Sequence, residues 1–268
     1  MRTRTYGKTG PVVIVLHGGP AAVGEAAPVA RGLSAQFRAI EPFQRGRGDE
    51  PLTVSRHVED LHELVNSVHN DSRPSIVGES WGAMLALAYA SAYPDSTAAL
   101  VLIGCGTFDK ASRTRMNETI ESRIDDRLRK RLRSLADEYP DPRDRLQAEH
   151  TLTEKIYTFD AVAADEQMEL TEPFDIRAHT ETWNDMLELQ EKGTYPAAFS
   201  TIKSLALMLH GAYDPHPGKM IYASIKAYMP QLEYHELENC GHSPWKERLA
   251  RKEFFMVMKN WLLEHAER

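Results

Sequence analysis

Apolar residues in the first hundred positions form short continuous runs that alternate with amphipathic segments. Four runs, at 10–20, 37–43, 73–78 and 98–106, are typical of strands buried on both faces of a sheet. Helical spacing of apolar residues predicts one helix at 59–70 and another from residue 81 to a stop at Pro94. This alternation predicts an α/β fold, with a mostly parallel central sheet and helices on both faces.

The pattern changes after residue 106. Roughly half of residues 109–150 are charged, and they show no strand pattern. Steps of mostly four residues predict a helix with one narrow apolar stripe, formed by Met116, Ile120, Ile124, Leu128, Leu132 and Leu135. A further helix ends near Gly193, and strands resume at 202–211 and 232–241 before a closing helix at 253–265. We therefore expect a core of residues 1–106 and 201–268, with residues 107–200 inserted as a helical cap.

The overall composition argues against a nucleic-acid-binding, membrane-spanning or secreted protein, but it does not indicate a substrate. The chain has 268 residues, of which 42% are hydrophobic, and a net charge of −7. Nucleic-acid binding needs a basic face, so we expect no nucleic-acid partner. The apolar runs are too short to cross a bilayer, so we expect no membrane partner, and the N-terminus lacks the apolar stretch of a secretory signal. Two cysteines are too few for a disulfide framework, which favours a cytoplasmic location.

The stretch "VGESWGAML" at 77–85 places Ser80 between two glycines, at the junction of a predicted strand and a predicted helix. If the chain turns sharply here, side chains two positions before and after the serine would collide, which explains Gly78 and Gly82. The turn would hold the Ser80 hydroxyl exposed at the carboxyl edge of the sheet. This is the G-x-S-x-G pattern of a nucleophile elbow, so Ser80 is the predicted nucleophile.

A serine nucleophile needs a base and an acid that orients the base. Of the eleven histidines, His242 lies in a glycine-rich loop after the last predicted strand, at the same sheet edge as Ser80, and we predict that it is the base. Asp214 follows the preceding strand and Asp109 follows the fourth strand, and the chain order Ser, Asp, His fits either acid. The loop length and the Asp-Pro turn favour Asp214.

A second motif, "HGGP", comprises His17, Gly18, Gly19 and Pro20 at the end of the first buried strand. Two consecutive glycines leave backbone N–H groups free of side-chain crowding. We predict that the N–H groups of Gly19 and Trp81 bind the oxyanion of a tetrahedral intermediate. A plain glycine-rich turn would explain this motif if it stood alone. Its occurrence with the serine, acid and histidine in the right order favours the catalytic interpretation.

These residues resemble those of the α/β-hydrolase family over nearly the whole chain. "HGGP" and "GESWG", with His17, Gly18, Pro20, Gly78 and Gly82, are most similar to motifs of the prolyl iminopeptidase group of aminopeptidases. The resemblance implies Ser80 as nucleophile, Asp214 as acid, His242 as base, and Gly19 and Trp81 as oxyanion donors. It also implies a helical cap inserted after the sixth core strand.

The chain also departs from that group. Ala21 replaces the glycine that follows "HGGP", and Phe43 stands where the group has Asp before "QRG". Only eleven residues precede the first buried strand, so we expect a shortened N-terminus in which the usual leading antiparallel strands are largely missing. The group holds the substrate amine with cap carboxylates. Those available here are Glu169, Glu172, Asp175, Glu181 and Asp185.

The sequence contains no His-x-x-x-His, Cys-x-x-Cys or phosphate-binding glycine motif, so we predict neither a metal nor a cofactor. Cys105 and Cys240 are interpreted as packing residues. We expect a small-molecule substrate, and the oligomeric state, monomer or homodimer, stays open.

These features predict a serine hydrolase that cleaves an ester or amide bond of a small substrate through an acyl-enzyme intermediate. Within that class, carboxylesterase or lactonase chemistry and an aminopeptidase that releases an N-terminal residue are both open. A lyase is a further alternative. From another class, the same scaffold would serve as a weakly catalytic small-molecule receptor.

Overall fold

A computed structural model of the chain describes residues 1–46, 48–68, 72–162 and 174–266. Seven strands form one sheet in the order β1-β3-β2-β4-β5-β6-β7. Their bounds are β1 Thr3–Tyr6, β2 Val12–Leu16, β3 Arg38–Pro42, β4 Ser75–Glu79, β5 Ala99–Ile103, β6 Leu205–Gly211 and β7 Leu232–Leu237. All neighbouring pairs are parallel except β1 with β3. The predicted mostly parallel sheet is confirmed.

The N-terminal segment contributes one antiparallel strand. β1 pairs with β3 from Thr3↔Pro42 to Tyr6↔Ala39, and its side chains alternate between exposed and half-buried. A strand on the edge of a sheet can be this short and polar because only one side of it is paired. The described residues before β2 thus form one antiparallel strand.

Five helices cover the two faces of the sheet: α1 Ala27–Leu33, α2 Val54–Val68, α3 Trp81–Ala92, α8 Gly218–Lys226 and α9 Arg251–His265. Successive side chains along a strand point to opposite faces of the sheet, so alternate residues of each strand pack into two separate apolar cores. Ile14, Ile76 and Leu100 pack with α2, α3 and α8 on one face. Val13, Val77 and Val101 pack with α1 and α9 on the other. Each buried side chain of this kind contributes about 1.5–3 kcal/mol.

Among the described residues, four more α-helices lie between β5 and β6: α4 Lys110–Ser122, α5 Asp126–Glu138, α6 Pro142–Tyr157 and α7 Ile176–Glu191. A 3-10 helix at Ala197–Thr201 follows them. The predicted single helix over the stripe from Met116 to Leu135 is wrong, because the chain breaks into α4 and α5. Asp125 caps α5 by accepting a 2.7 Å hydrogen bond from the Leu128 N–H. An aspartate side chain that bonds to a backbone N–H favours the start of a new helix over the continuation of the previous one. The spacing of apolar residues carries no information about this bond.

These helices follow β5 along the chain, and the insertion after the sixth core strand that the resemblance implies stays a prediction. The division into a core and a cap of residues 107–200 stays a prediction. Among the described residues, no helix is both long and apolar enough to span a bilayer.

Candidate active site

Ser80 lies in a strained turn between β4 and α3. Its backbone has φ +51° and ψ −113°, a left-handed conformation that ordinary residues rarely adopt, and the residue is partly exposed. A Cβ on Gly78 would lie 2.2 Å from the Gly82 carbonyl oxygen, and one on Gly82 would lie 2.5 Å from that of Leu16. The glycines are therefore required sterically, as the sequence indicated.

His242 lies in the loop after β7, and Asp214 in the loop after β6. The His242 Nδ1 and the Asp214 Oδ2 are 2.7 Å apart. An ionised carboxylate only accepts hydrogen bonds, so the imidazole donates its Nδ1 proton and leaves Nε2 with a lone pair. Both loops follow the carboxyl ends of parallel strands, which places them at the same edge of the sheet as Ser80.

Two contacts bring the Ser80 turn and the His242 loop together. The Ser243 hydroxyl donates to the Glu79 Oε1 at 3.2 Å, so the residues beside His242 and Ser80 are bonded to each other. The second contact runs through β5. The Ser80 N–H donates to the carbonyl of Ile103 at 2.8 Å, and the residue after Ile103, Gly104, packs so closely on His242 that a Cβ there would lie 3.1 Å from Nδ1.

No hydrogen bond between the Ser80 Oγ and His242 is present among the described residues. Catalytic contacts of this kind commonly tighten only when substrate binds.

Asp214 has no exposed side-chain surface and is surrounded by histidines. Its Oδ1 accepts from the His216 backbone N–H at 2.9 Å and from the His216 Nδ1 at 2.8 Å, while the His210 Nε2 lies 3.1 Å from Oδ2. Burial raises the pKa of Asp214, but the charges of His242, His216 and His210 outweigh it and hold the pKa well below its usual value. Asp214 therefore stays ionised.

Asp109, the other acid considered, has a different function. It caps α4 by accepting hydrogen bonds from the Ser112 backbone N–H at 2.8 Å and the Ser112 hydroxyl at 2.7 Å. The structure thus brings Asp214, and not Asp109, to His242.

His216 is a site residue that the sequence reasoning missed. Its ring stacks on the ring of His242, with centroids 4.5 Å apart and an interplanar angle of 18°. Burial lowers the pKa of His216, and the Asp214 charge offsets this only in part. For His242, burial also lowers the pKa, but Asp214 overcomes it and raises the pKa to about 9. The histidine two residues after Asp214 in "DPHP" was the available signal.

The predicted oxyanion donors lie at the start of α3 and at the end of β2. Gly19 has φ +111° and is exposed, and Gly18 beside it is buried. A Cβ on Gly18 would lie 3.3 Å from the Ser80 Cβ, so this loop contacts the serine. Within the described ranges, the N–H groups of Gly19 and Trp81 have no hydrogen-bond partner, which leaves both donors available.

His17 and Gln44 hold this loop in place. The buried His17 ring contacts the Gly18 carbonyl through Nδ1 at 2.9 Å, and burial lowers the pKa of His17 to about 4, so the ring is neutral. Gln44 donates to the His17 carbonyl at 3.0 Å and accepts from the Trp81 indole at 2.8 Å. Gln44 belongs to "QRG", which the sequence reasoning used only as a family feature.

Three buried or half-buried ionisable groups, Glu25, Glu79 and Lys246, interact with one another, and Glu79 directly precedes Ser80. Glu79 is buried and paired with Ser243, and its Oε2 has no hydrogen-bond partner among the described residues. Burial and the nearby Glu25 charge raise the pKa of Glu79 to about 8. Lys246 pairs with Glu25 at 3.1 Å. Glu79 is thus mostly protonated at neutral pH, and the Lys246 ammonium group neutralises Glu25.

The segment after α6 is attached to the His242 loop. The Tyr157 carbonyl accepts the His242 N–H at 2.8 Å. The buried Glu247 accepts from the N–H of Gly241 at 2.8 Å, Phe159 at 2.8 Å and Asp160 at 2.7 Å. A single carboxylate therefore fixes both the loop that carries His242 and the segment that follows α6.

The described carboxylates considered for amine binding are engaged elsewhere. Asp175 caps α7 through the Ala178 N–H, Glu181 accepts from the Leu52 N–H at 3.0 Å, and Asp185 accepts from the Val54 N–H at 2.7 Å. Glu169 and Glu172 lie outside the described residues.

Both cysteines are buried, and burial raises their thiol pKa values, so neither has the thiolate character of a nucleophile. Among the described residues, Asp214, His216 and His242 form a group whose ligand atoms could hold a metal ion, since they lie within 4.8 Å of one another.

With the fold and the site geometry established, comparison with known proteins assigns the class. The chain belongs to the alpha/beta hydrolase family, whose model matches residues 13–252. This agrees with the family resemblance of the motifs.

One curated relative is the cis-3-alkyl-4-alkyloxetan-2-one decarboxylase of Shewanella oneidensis, 27% identical over 107 residues. The match covers 37% of this chain and spans only about a third, 34%, of that enzyme.

Solved structures show the same fold along nearly the whole chain. A serine hydrolase involved in carbazole degradation, the CarC enzyme, superposes with a TM-score of 0.64 at 19% identity, covering 98% of this chain and 94% of that one. A proline iminopeptidase of Mycobacterium smegmatis gives 0.62 at 18% identity, covering 98% and 94%. At these identities the likeness establishes the fold, and the reaction must be argued from the site.

Proposed function

We propose that the chain is a serine hydrolase that cleaves an ester or amide bond of a small substrate through an acyl-enzyme intermediate. The observation that carries the proposal is the 2.7 Å contact between His242 Nδ1 and the buried Asp214, at the sheet edge where Ser80 occupies a strained turn. An imidazole oriented by an ionised carboxylate, beside a serine in a nucleophile elbow, is the arrangement that activates a hydroxyl.

In this mechanism the His242 Nε2 removes the Ser80 proton while the hydroxyl attacks the substrate carbonyl carbon. The N–H groups of Gly19 and Trp81 hold the oxyanion that forms, and each such donor contributes about 3–4 kcal/mol to lowering the barrier. The imidazolium then protonates the leaving group. In the second half, His242 takes a proton from water, the hydroxide attacks the acyl carbon, and Ser80 regains its proton. Asp214 stays ionised and stabilises the imidazolium.

The carboxylesterase or lactonase form of this reaction is better supported than the aminopeptidase form. An aminopeptidase needs carboxylates free to hold the substrate amine, but the three candidates among the described residues, Asp175, Glu181 and Asp185, accept hydrogen bonds from backbone N–H groups. An ester or lactone needs no such group. The partial match to an oxetan-2-one decarboxylase makes a β-lactone a useful member of any substrate panel.

The test combines covalent labelling with turnover. A fluorophosphonate probe should label the wild-type protein and fail to label Ser80→Ala, whose circular dichroism should be unchanged. A panel of acyl esters, lactones, a β-lactone and aminoacyl anilides should give turnover with esters or lactones, reduced about 10⁴-fold or more by Ser80→Ala. A wild-type protein that the probe does not label would instead be a receptor. Turnover retained by Ser80→Ala would exclude the mechanism.

A further inference from the structure

The site contains one more imidazole than the hydrolytic mechanism uses. His216 and His242 present nearly parallel rings 4.5 Å apart, and each has a ring nitrogen within 2.8 Å of the same carboxylate, Asp214. One ligand atom from each of the three side chains lies within 4.8 Å of the others. A single histidine would suffice to form a Ser-His-Asp triad, so the second ring requires a separate explanation.

Two imidazoles and one carboxylate are a ligand set that suits a divalent transition metal. Zn²⁺ binds histidine nitrogen and aspartate oxygen in tetrahedral sites, and three protein ligands leave the fourth position open. At metal–ligand distances of about 2.0–2.2 Å, tetrahedral ligand atoms lie roughly 3.3–3.6 Å apart, so rearrangements of about 1 Å would close the site.

The site is also accessible. The side chains of His216 and His242 keep 15% and 14% of their surface exposed, while Asp214 is fully buried and ionised. An ion can therefore approach the two rings from solvent and meet a negative charge behind them.

We propose that Asp214, His216 and His242 form a binding site for Zn²⁺ and related divalent transition metals, and that an ion bound there reversibly inhibits the enzyme. The ion binds the Nδ1 atoms of His216 and His242, and the proton that each Nδ1 now shares with Asp214 moves to the Nε2 atom of the same ring. His242 then has no lone pair with which to accept the Ser80 proton. The inhibitory part rests on the proposed hydrolase function, whereas metal binding does not.

Calorimetry with ZnCl₂ tests the site independently of activity. Wild-type protein should bind one equivalent of Zn²⁺. His216→Asn should bind Zn²⁺ at least about tenfold more weakly, because the asparagine amide can still donate to Asp214 but does not replace the imidazole as a ligand. The magnitude is a lower bound, since removing even a residue that only supports a metal ligand lowers metal affinity tenfold or more. His242→Asn should weaken binding similarly. The matched control is His235→Asn, which removes a surface histidine paired with Glu253 and should leave Zn²⁺ binding unchanged.

Inhibition is then measured relative to the uninhibited rate of each protein, with the ester that the substrate panel identifies and with fluorophosphonate labelling. Zn²⁺ should slow both reactions in wild type, and the inhibition constant should rise at least about tenfold in His216→Asn.

Equal Zn²⁺ affinity in wild type and His216→Asn, or no binding to wild type, would overturn the proposal. If His216→Asn does not fold, the visible spectrum of Co²⁺ added to wild type decides, since intense tetrahedral bands support the site and an aqueous-like spectrum excludes it. If Ser80→Ala retained turnover, the hydrolase function would fail while calorimetry still judged the metal site.

Discussion

The Ser243 hydroxyl donates a 3.2 Å hydrogen bond to the Glu79 carboxyl group and thereby joins the residue after His242 to the residue before Ser80. Glu79 and Ser243 are 164 positions apart in the chain, and both are buried. The contact therefore fixes the spacing of the two loops through a buried hydrogen bond. Because the acceptor is an acid with a raised pKa, its protonation state affects the stability of this arrangement.

The first prediction concerns Glu79→Gln and the pH dependence of stability. The pKa of Glu79 is raised from 4.5 to about 8 in the folded chain by burial and the Glu25 charge. Between pH 4.5 and about 8, Glu79 is deprotonated in the unfolded chain and protonated in the folded chain. The free energy of unfolding of the wild type therefore falls as the pH rises through this range. Glutamine keeps an acceptor for Ser243 but does not titrate.

The free energy of unfolding of Glu79→Gln, relative to wild type, should thus increase from pH 4.5 to about 8 and stay constant above. Urea unfolding at several pH values measures this difference. A difference that is the same at every pH would contradict the raised pKa.

The second prediction separates the two candidate acids. Asp214→Asn should lower kcat about 10⁴-fold, because an amide can donate to His242 and hold it in the wrong tautomer. Asp109→Asn is the matched control, since asparagine is as good a helix N-cap as aspartate, and its kcat should stay within about twofold of wild type. Steady-state kinetics of both variants provides the measurement. A large loss in Asp109→Asn with little loss in Asp214→Asn would reverse the assignment.

The third prediction is the pH dependence of kcat/KM. The base must be neutral to accept the Ser80 proton, and burial, which lowers the pKa of His242, is outweighed by the Asp214 charge, which raises it to about 9. The activity of the free enzyme should therefore rise with pH, with a midpoint near pH 9. In Asp214→Asn the midpoint should move to lower pH. A wild-type midpoint below 6.5, the ordinary value for histidine, would show that Asp214 does not stabilise the imidazolium.

The fourth prediction tests the steric requirement of the elbow. In Gly82→Ala the new Cβ would lie 2.5 Å from the Leu16 carbonyl oxygen and 2.8 Å from that of His17, so the turn must move. We expect a loss of about 3 kcal/mol in the free energy of unfolding and no detectable probe labelling. Gly48→Ala is the control, because a Cβ there meets nothing within 4 Å, and its stability should match wild type. Equal stability of the two variants in urea would show that the turn is not constrained.

The fifth prediction concerns Glu247, which accepts hydrogen bonds from the N–H groups of Gly241, Phe159 and Asp160. Glu247→Ala leaves these donors without their acceptor and should lower the free energy of unfolding by about 3 kcal/mol. Glu247→Gln retains one acceptor oxygen, so its free energy of unfolding should fall by less than that of Glu247→Ala. kcat should fall in the same order, since Gly241 precedes the base. Urea unfolding and steady-state kinetics test both effects, and a fully active Glu247→Ala would show that this carboxylate does not position His242.

The strands and the serine turn were predictable because their signals are local. Continuous apolar runs located β2, β4, β5 and β6, since strands buried on both faces need apolar side chains at every position. Gly78 and Gly82 marked the turn because the backbone conformation at Ser80 excludes side chains there. In these cases residues within five positions of one another determine the structure.

Other features depended on partners distant in the chain. The helix predicted from the apolar stripe is interrupted at Asp125, although the apolar spacing continues through it. The side chain of Asp125 caps a new helix there, and this bond is not visible in the spacing of apolar residues. The contacts of Gln44, Glu79 and Glu247 could not be predicted from the sequence, because each of these residues acts on a group from a different segment. Similarly, the carboxylates considered for amine binding could not be assigned until their backbone partners were known.

The sequence by itself determined the class of fold and the strained turn at Ser80, because hydrophobic burial and short-range sterics constrain them directly. Only the tertiary structure decided which acid faces His242, that His216 shares that acid, and that the carboxyl group beside the serine is buried. These are long-range electrostatic and packing relationships, and their energies depend on distances that no local pattern of residues encodes.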